Sequence, residues 1–251
     1  HVIVTQIGDM LGFPKSLLVN FVIKHVKKMV PAWELEDHIK FLDALALGDA
    51  SKFKKESPTL EDTAFLQYTG GTTGVSKGAE LTHGNIVANM VQARAWIRDA
   101  IKEGEEIIIT PLPLYHIFSL TANCFIFSSV GALNVLITNP RDIPGFVKEL
   151  SKWKFTAFTG VNTLFNALLN NKDFKDLDFS SLKLALGGGM AVQKAVAQEW
   201  KKTTGKPLIE AYGLPETSPA ACINPMTLSE YNGKIGVPIP STDVKILDDD
   251  G

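Results

Sequence analysis

The sequence predicts an α/β fold: mainly parallel sheets flanked by helices, followed by the start of a small antiparallel β subdomain. Three observations carry this. Between residues 142 and 212, short strand-like runs alternate with amphipathic runs of helix length, the pattern of βαβ units. Three of those strands finish in glycine, at Thr159-Gly160, Gly187-Gly188-Gly189 and Tyr212-Gly213. From Gly233 onward the apolar period changes to two, with Ile235, Val237 and Ile239 and then Val244, Ile246 and Asp248 set among Pro and Gly turns.

Composition sets the bounds. The 251 residues are 45% hydrophobic and 21% charged with a net charge of −2, enough for a large core or for parts of two or three domains. The near-neutral balance lacks the electrostatic footprint of a nucleic-acid binder. Cys124 and Cys222 lie far apart, match no metal spacing and read as reduced thiols of a cytosolic protein. The chain opens on a strand-like His1-Val2-Ile3-Val4-Thr5-Gln6 without an initiator methionine. It stops at Asp248-Asp249-Asp250-Gly251, a turn that should lead into another strand. Both ends are expected to be cuts in a longer polypeptide.

Taken in order, Leu17 to Val30 is apolar at most positions, with Lys24, His25, Lys27 and Lys28 toward its end. A packed helix with a solvated lysine face is expected, its last lysines facing the helix dipole; a basic helix on a membrane surface is the competing reading. Asp49 to Asp62 is polar and reads as a linker, and Ala64 to Tyr68 as a buried strand. Thr82 can cap a helix whose apolar face is Ile86, Met90, Ala93 and Ile97. Ile107 to Pro140 contains no Asp, Glu, Lys or Arg. Its prolines, His116, Asn123, Gly131 and Asn134 argue against a membrane span. A buried helix ended by Gly131 and a buried parallel strand from Leu133 to Thr138 are expected. Beyond these, helices are expected at Asp142 to Lys152 (Phe146, Val147 and Leu150 inward), Asn162 to Asn170 and Met190 to Thr204. The strands between and after them are Phe155 to Thr159, Leu182 to Leu186 and Leu208 to Tyr212.

The chemistry is concentrated in Thr69-Gly70-Gly71-Thr72-Thr73-Gly74-Val75-Ser76-Lys77-Gly78. Glycines let the backbone approach a ligand, successive N–H groups form an anion-binding nest, and the hydroxyls and Lys77 add donors and charge. Together these make a cradle for polyphosphate. It is not a Walker A loop, because Lys77 follows Ser76 and precedes Gly78. In an open parallel sheet ligands lie beyond the carboxyl ends of the strands, where the three glycine turns leave space and Tyr212 offers a ring to a purine.

The stretch from Tyr68 to Gly78, with Ala79 to Asn85 after it, resembles the phosphate loop of adenylate-forming (AMP-binding) enzymes: acyl-CoA synthetases, luciferases and peptide-synthetase adenylation domains. Leu112-Pro113-Leu114-Tyr115-His116, Gly187-Gly188-Gly189-Met190-Ala191, Glu210-Ala211-Tyr212-Gly213-Leu214-Pro215-Glu216 and Gly233 to Thr242 are similar to further motifs of that family, in the same order. Asn139-Pro140-Arg141-Asp142 and Gly160 to Phe165 further resemble bacterial long-chain fatty acid–CoA ligases.

The resemblance implies a two-step reaction in which ATP activates a fatty carboxylate to acyl-adenylate and coenzyme A then takes the acyl group. It implies that Thr69, Gly70, Gly71, Thr72, Thr73, Gly74 and Lys77 bind the β- and γ-phosphates. Gly187, Gly188, Gly189, Tyr212, Gly213 and Leu214 would line the adenine and acyl pockets. His116 would meet the α-phosphate or the carboxylate, although a histidine in an apolar run is often a satisfied core residue. Lys77, His116 and Glu216 are the expected catalytic residues, with Thr73 and Glu216 on Mg²⁺. Phe158, Val161, Leu164 and Phe165 are expected to wall the acyl channel. The expected partition is residues 1–106, a partial first subdomain with the phosphate loop; 107–232, a second with the adenine and acyl pockets; and 233–251, the entry to a β-barrel subdomain. The family's C-terminal lid domain, its catalytic lysine and its ribose-binding aspartate would lie beyond Gly251. A cytoplasmic location follows, with peripheral contact at the inner face of the membrane and a homodimer left open.

One departure is Pro215, where the family usually has threonine. Proline supplies neither hydroxyl nor N–H, so a phosphate contact is lost unless Thr217 or Ser218 replaces it. Pro215 also motivates a rival reading as a non-catalytic nucleotide or acyl-chain binder. An aryl-CoA or acyl-AMP ligase is the rival within the family.

Overall fold

A computed structural model describes residues 2–69 and 76–248. The chain divides between Ser57 and Pro58 into two compact units. This boundary falls inside the polar Asp49–Asp62 segment expected to be a linker.

In the first unit, strand β1 (Val2–Val4) pairs in parallel with β2 (His38–Lys40). Helix α1 (Lys15–Phe21) continues through a wider turn (Val22–Val26) and ends before Lys28, whose φ is +50°. It is shorter than the sequence suggests and is not a packed helix, because none of its residues is buried and Leu17, Leu18 and Phe21 are exposed. Helix α2 (Phe41–Ala46) follows β2.

The second unit holds the site. Strand β3 (Thr63–Thr69) pairs antiparallel with β4 (Lys77–Thr82). Alternation governs this hairpin: Phe65, Ala79 and Leu81 pack inward on Ile86 and Ile117, whereas Leu66 and Tyr68 are exposed. The expectation of a wholly buried strand is therefore corrected to a one-sided one. Helix α3 (His83–Ile97) starts as predicted. Thr82 Oγ1 accepts the N–H of Asn85 (3.1 Å), and Asn85 Oδ1 accepts the N–H of Thr82 (3.0 Å), a reciprocal cap.

The main sheet has the order β11-β10-β9-β8-β7-β5-β6. Its parallel part consists of β5 (Ile107–Thr110), β6 (Leu133–Leu136), β7 (Ala157–Gly160), β8 (Leu184–Gly187) and β9 (Leu208–Gly213). Strand β10 (Ala220–Ile223) runs antiparallel to β9, and β11 (Val237–Pro238) antiparallel to β10. The period-two tail thus contributes one short strand to this sheet, and residues 242–248 carry no regular structure. Strand β6 lies at the sheet edge with Leu133 and Leu136 exposed, so it is not the buried strand expected.

Between β5 and β6, α4 (Ile117–Ser119) runs through a π-helical stretch (Leu120–Phe125) into α5 (Ile126–Ser129), and Gly131 ends it at φ +69°. No helix among the described residues is long and apolar enough to cross a membrane. The remaining helices are α6 (Ile143–Leu150), α7 (Asn162–Leu169), α8 (Lys172–Lys175) and α9 (Lys194–Thr204), which Gly205 closes in the left-handed conformation. Helices α6, α7 and α9 cover one face of the sheet, packing Phe146, Phe165 and Trp200 around Phe158. Helices α3 and α5 cover the other, where Ala93, Ile97, Ile126 and Phe127 meet Ile108, Ala157, Leu184 and Leu186.

Candidate active site

The site forms where the parallel strands stop. A cavity of about 840 Å³, counting its open mouth, lies on the α3–α5 face of the sheet. Its mouth is bordered by His116, Gly188, Gly189, Tyr212, Gly213, Leu214 and Pro215, from the carboxyl ends of β8 and β9 and the segment before α4. Its far end reaches Ile97, Ile108, Ala157 and Leu184, at or near the amino ends of β5, β7 and β8. The walls between are almost wholly apolar, so the cavity is shaped for a hydrocarbon rather than for a second polar ligand.

The glycines serve local packing as well as access. A Cβ on Gly213 would sit 1.9 Å from the carbonyl oxygen of Pro219, so only glycine lets the chain fold back on itself there. The resulting turn is closed by the N–H of Leu214 donating to the Pro219 carbonyl (3.1 Å) and by Ser218 at φ +72°. Thr217 Oγ1 accepts from the Leu214 N–H (2.9 Å) and donates within the same turn. Ser218 is buried. Of the two hydroxyls that could replace the one Pro215 lacks, that of Thr217 is engaged within the turn and that of Ser218 is buried.

Beside this turn lies the β3–β4 hairpin, whose strands pack against Pro215–Thr217. Thr69 and Lys77 are paired at its tip: Thr69 Oγ1 donates to the Lys77 carbonyl (3.3 Å) and Ser76 Oγ to the Thr69 carbonyl (3.4 Å). The hydroxyls of Thr69 and Ser76 thus brace the hairpin, while the Lys77 side chain is exposed. Gly70, Gly71, Thr72, Thr73 and Gly74 lie outside the described residues. The two ends of their loop and the Tyr-Gly turn nevertheless occupy one side of the unit.

His116 is exposed, not a core residue. Its Nδ1 accepts the N–H of Phe118 (3.2 Å), which in the neutral ring puts the proton on Nε2 as a donor. Glu216 is exposed on the Pro215–Thr217 turn and does not border the cavity. Tyr212 is 43% exposed at the mouth. Gly187 is absent from the lining, because its side faces Val192 and Phe165.

Val192, after the triple glycine, is held from both sides. Its N–H donates to Glu210 Oε1 (3.1 Å), and its carbonyl accepts from Tyr231 Oη (2.9 Å). Burial pushes the Glu210 carboxyl above its ordinary range; burial and the Glu210 charge together raise the Tyr231 phenol. Of the residues expected to wall the acyl channel, only Phe158 borders the cavity. Leu164 and Phe165 belong to the core on the other face, and Val161 packs against it, because α7 covers that side. Asn89 and Thr121, which line the cavity, carry no motif; the visible signal for Asn89 was a polar residue on an apolar helix face.

The metal expected beside the phosphates can be tested against the donors present. Among the described residues no three His, Cys, Asp or Glu side chains cluster as a protein-only cage. An exposed carboxylate such as Glu216, beside the hairpin, fits the mode in which Mg²⁺ takes one protein carboxylate plus phosphate oxygens and water.

The chain belongs to the AMP-binding enzyme family, whose pattern matches residues 7–251. It is 56% identical over its full length to a long-chain-fatty-acid–CoA ligase of Yersinia pestis, covering 45% of that protein. The chain thus spans about half the length of the curated relatives it matches. Among solved structures it is similar to O-succinylbenzoate coenzyme A synthetase from Bacillus subtilis in complex with AMP (27% identity, 85% of this chain and 43% of that one, TM-score 0.68). It also shares the fold of the anthranilate CoA ligase AuaEII (23% identity, 99% and 47% covered, TM-score 0.76).

Proposed function

We propose that the whole protein is an ATP-dependent long-chain fatty acid–CoA ligase and that this chain is its nucleotide- and acyl-binding core. The observation that carries the proposal is the apolar cavity. It opens at the Tyr212–Pro215 turn and runs toward the amino ends of the strands, which suits a long alkyl chain with its carboxylate at the mouth.

In the first step the carboxylate attacks the α-phosphorus of ATP, expelling pyrophosphate. Both reactants are anionic, so the protein must neutralise charge and hold them in line. Lys77 and the loop 70–74 receive the β- and γ-phosphates. His116 donates from Nε2 at the carboxylate or α-phosphate. Glu216, with Thr73, would hold Mg²⁺, which neutralises phosphate charge when bound. Tyr212 flanks the adenine, against the turn that Glu210 and Tyr231 fix. In the second step the thiol of coenzyme A attacks the acyl carbon and AMP leaves. In this reading residues 1–106 supply the phosphate loop, 107–232 the adenine and acyl pockets, and 233–251 the entry to the β-barrel subdomain. The enzyme works in the cytoplasm, and exposed Leu17, Leu18 and Phe21 beside Lys24 suit a peripheral membrane contact.

The test is AMP formation by the full-length protein across a series of fatty acids, with aryl and amino acids alongside. AMP release that rises with acyl length supports the reading. Turnover of aryl acids alone would move the protein to another ligase class. ATP binding with no acid-dependent AMP release would make it a non-catalytic binder.

A further inference from the structure

Three buried polar side chains interrupt the apolar wall of the cavity: Thr159, whose hydroxyl donates to Asn123 Oδ1 (2.9 Å), and Asn89 and Thr121, both of which are spent on the backbone of one turn. Asn89, on α3 and 4% exposed, makes a two-point contact with Ala220: Nδ2 donates to the Ala220 carbonyl (2.8 Å) and Oδ1 accepts the Ala220 N–H (3.1 Å). This matches what a neighbouring strand would supply, at a place where the β9–β10 register is irregular. Thr121, on the π-helical stretch and 1% exposed, donates from Oγ1 to the Ser218 carbonyl (3.3 Å). Ser218 and Ala220 close the turn that begins at Gly213 and carries Pro215 and Glu216. Among the described residues no other side-chain hydrogen bond reaches that turn from α3 or from Leu120–Phe125.

We propose that Asn89 and Thr121 are positioning residues for the nucleotide. They hold the 213–220 turn, and with it Tyr212 and Glu216, at the height of the β3–β4 hairpin. This rests on the ligase reading above. It adds that two residues of the acyl wall act on ATP rather than on the acyl chain. Most of this polar capacity is turned away from an acyl substituent. Asn89 occupies both ends of its amide on Ala220, and Thr121 gives its only proton to Ser218.

The signature is a split between the two substrates. Asn89→Leu and Thr121→Val keep the size of each side chain, remove the hydrogen bonds and make the channel wall more apolar. In the full-length protein the KM for ATP in fatty acid-dependent AMP formation should rise roughly tenfold in Asn89→Leu and severalfold in Thr121→Val, the scale of a lost buried hydrogen bond. The KM for the fatty acid should stay unchanged or fall. A merely structural role would raise both constants together with a loss of thermal stability. That outcome, or an ATP KM within twofold of the wild type in both variants, overturns the proposal. If Asn89→Leu does not fold, Thr121→Val decides. Wild-type protein that forms no AMP with any fatty acid would instead count against the ligase reading itself.

Discussion

At the scale of single residues, the 213–220 turn shows how little freedom the site has. Gly213 is required because its neighbour across the turn is a backbone carbonyl, which cannot rotate away as a side chain would. Gly213→Ala should therefore destabilise the protein by roughly 3 kcal/mol, as overpacked sites do, and lower AMP formation at least tenfold. A denaturation midpoint within error of the wild type would contradict the contact. Pro215 is the opposite case: it borders the mouth and offers no donor, and Thr217 is engaged within the turn. Pro215→Thr should raise fatty acid-dependent pyrophosphate exchange by roughly tenfold in the full-length protein, the worth of one charge-assisted hydrogen bond. An unchanged exchange rate would show that the threonine hydroxyl is not what this turn lacks. The importance of Gly213 was legible from its place after a strand. Its reason was not, because Pro219 approaches it only once the chain has turned back.

At the scale of elements, the sequence revealed the alternating region from α6 to β9 because each strand there is a short apolar run and the helices show an inward face. It concealed β5, merged into a long uncharged run, and β4 and β10 for different reasons. Lys77 to Thr82 alternates correctly, with Ala79 and Leu81 inward, but follows a glycine-rich loop and leads straight into a helix cap, so it reads as part of the loop. Ala220 to Ile223 is only four residues and begins beside a proline. Leu164, Phe165 and Val161 lie away from the cavity, which was not legible because a strand's periodicity says that residues alternate but not which helices cover each side. If the cavity takes the acyl chain as proposed, its depth is testable. Ala157 pairs with Ile108 and Leu184 across three strands at the far end of the cavity, where a small residue leaves space. Ala157→Leu should fill that space. Each methylene kept out of the wall costs about 0.8 kcal/mol, roughly fourfold. The ratio of kcat/KM for hexadecanoate over decanoate should fall at least tenfold, measured as AMP release. An unaltered chain-length profile would mean that the alkyl chain takes another path.

At the scale of the whole molecule, the two ends of the main sheet are built for different work. The carboxyl ends carry glycines, an exposed histidine and an open cavity. The amino ends are latched. Glu106, just before β5 and 2% exposed, accepts from Lys183 Nζ (2.6 Å), just before β8, and from the Lys102 N–H (2.7 Å). Burial alone would raise the Glu106 carboxyl. The hydrogen bonds from Lys183, Thr156 and Lys102 and the Lys183 charge outweigh it and leave the group below its ordinary range. A carboxyl lowered in the folded state contributes stability that is fully present above its unfolded value, near 4.5, and is lost as pH falls through the lower folded value. Lys183 is 35% exposed, so water screens the pair and its ammonium can be solvated when the partner is lost. Glu106→Gln should therefore cost about 2 kcal/mol at pH 7, below the full penalty for stripping a buried ion pair. The gap between wild type and variant should begin to narrow as pH drops below about 4.5, where the unfolded chain takes up the proton, and close as pH falls through the lower folded value. Urea denaturation at pH 7 and pH 4 reads both numbers. An equal gap at the two values would show that packing, not charge, holds this end of the sheet. Because the latch lies at the end of the strands opposite the cavity mouth, the KM values of the folded variant should match those of the wild type.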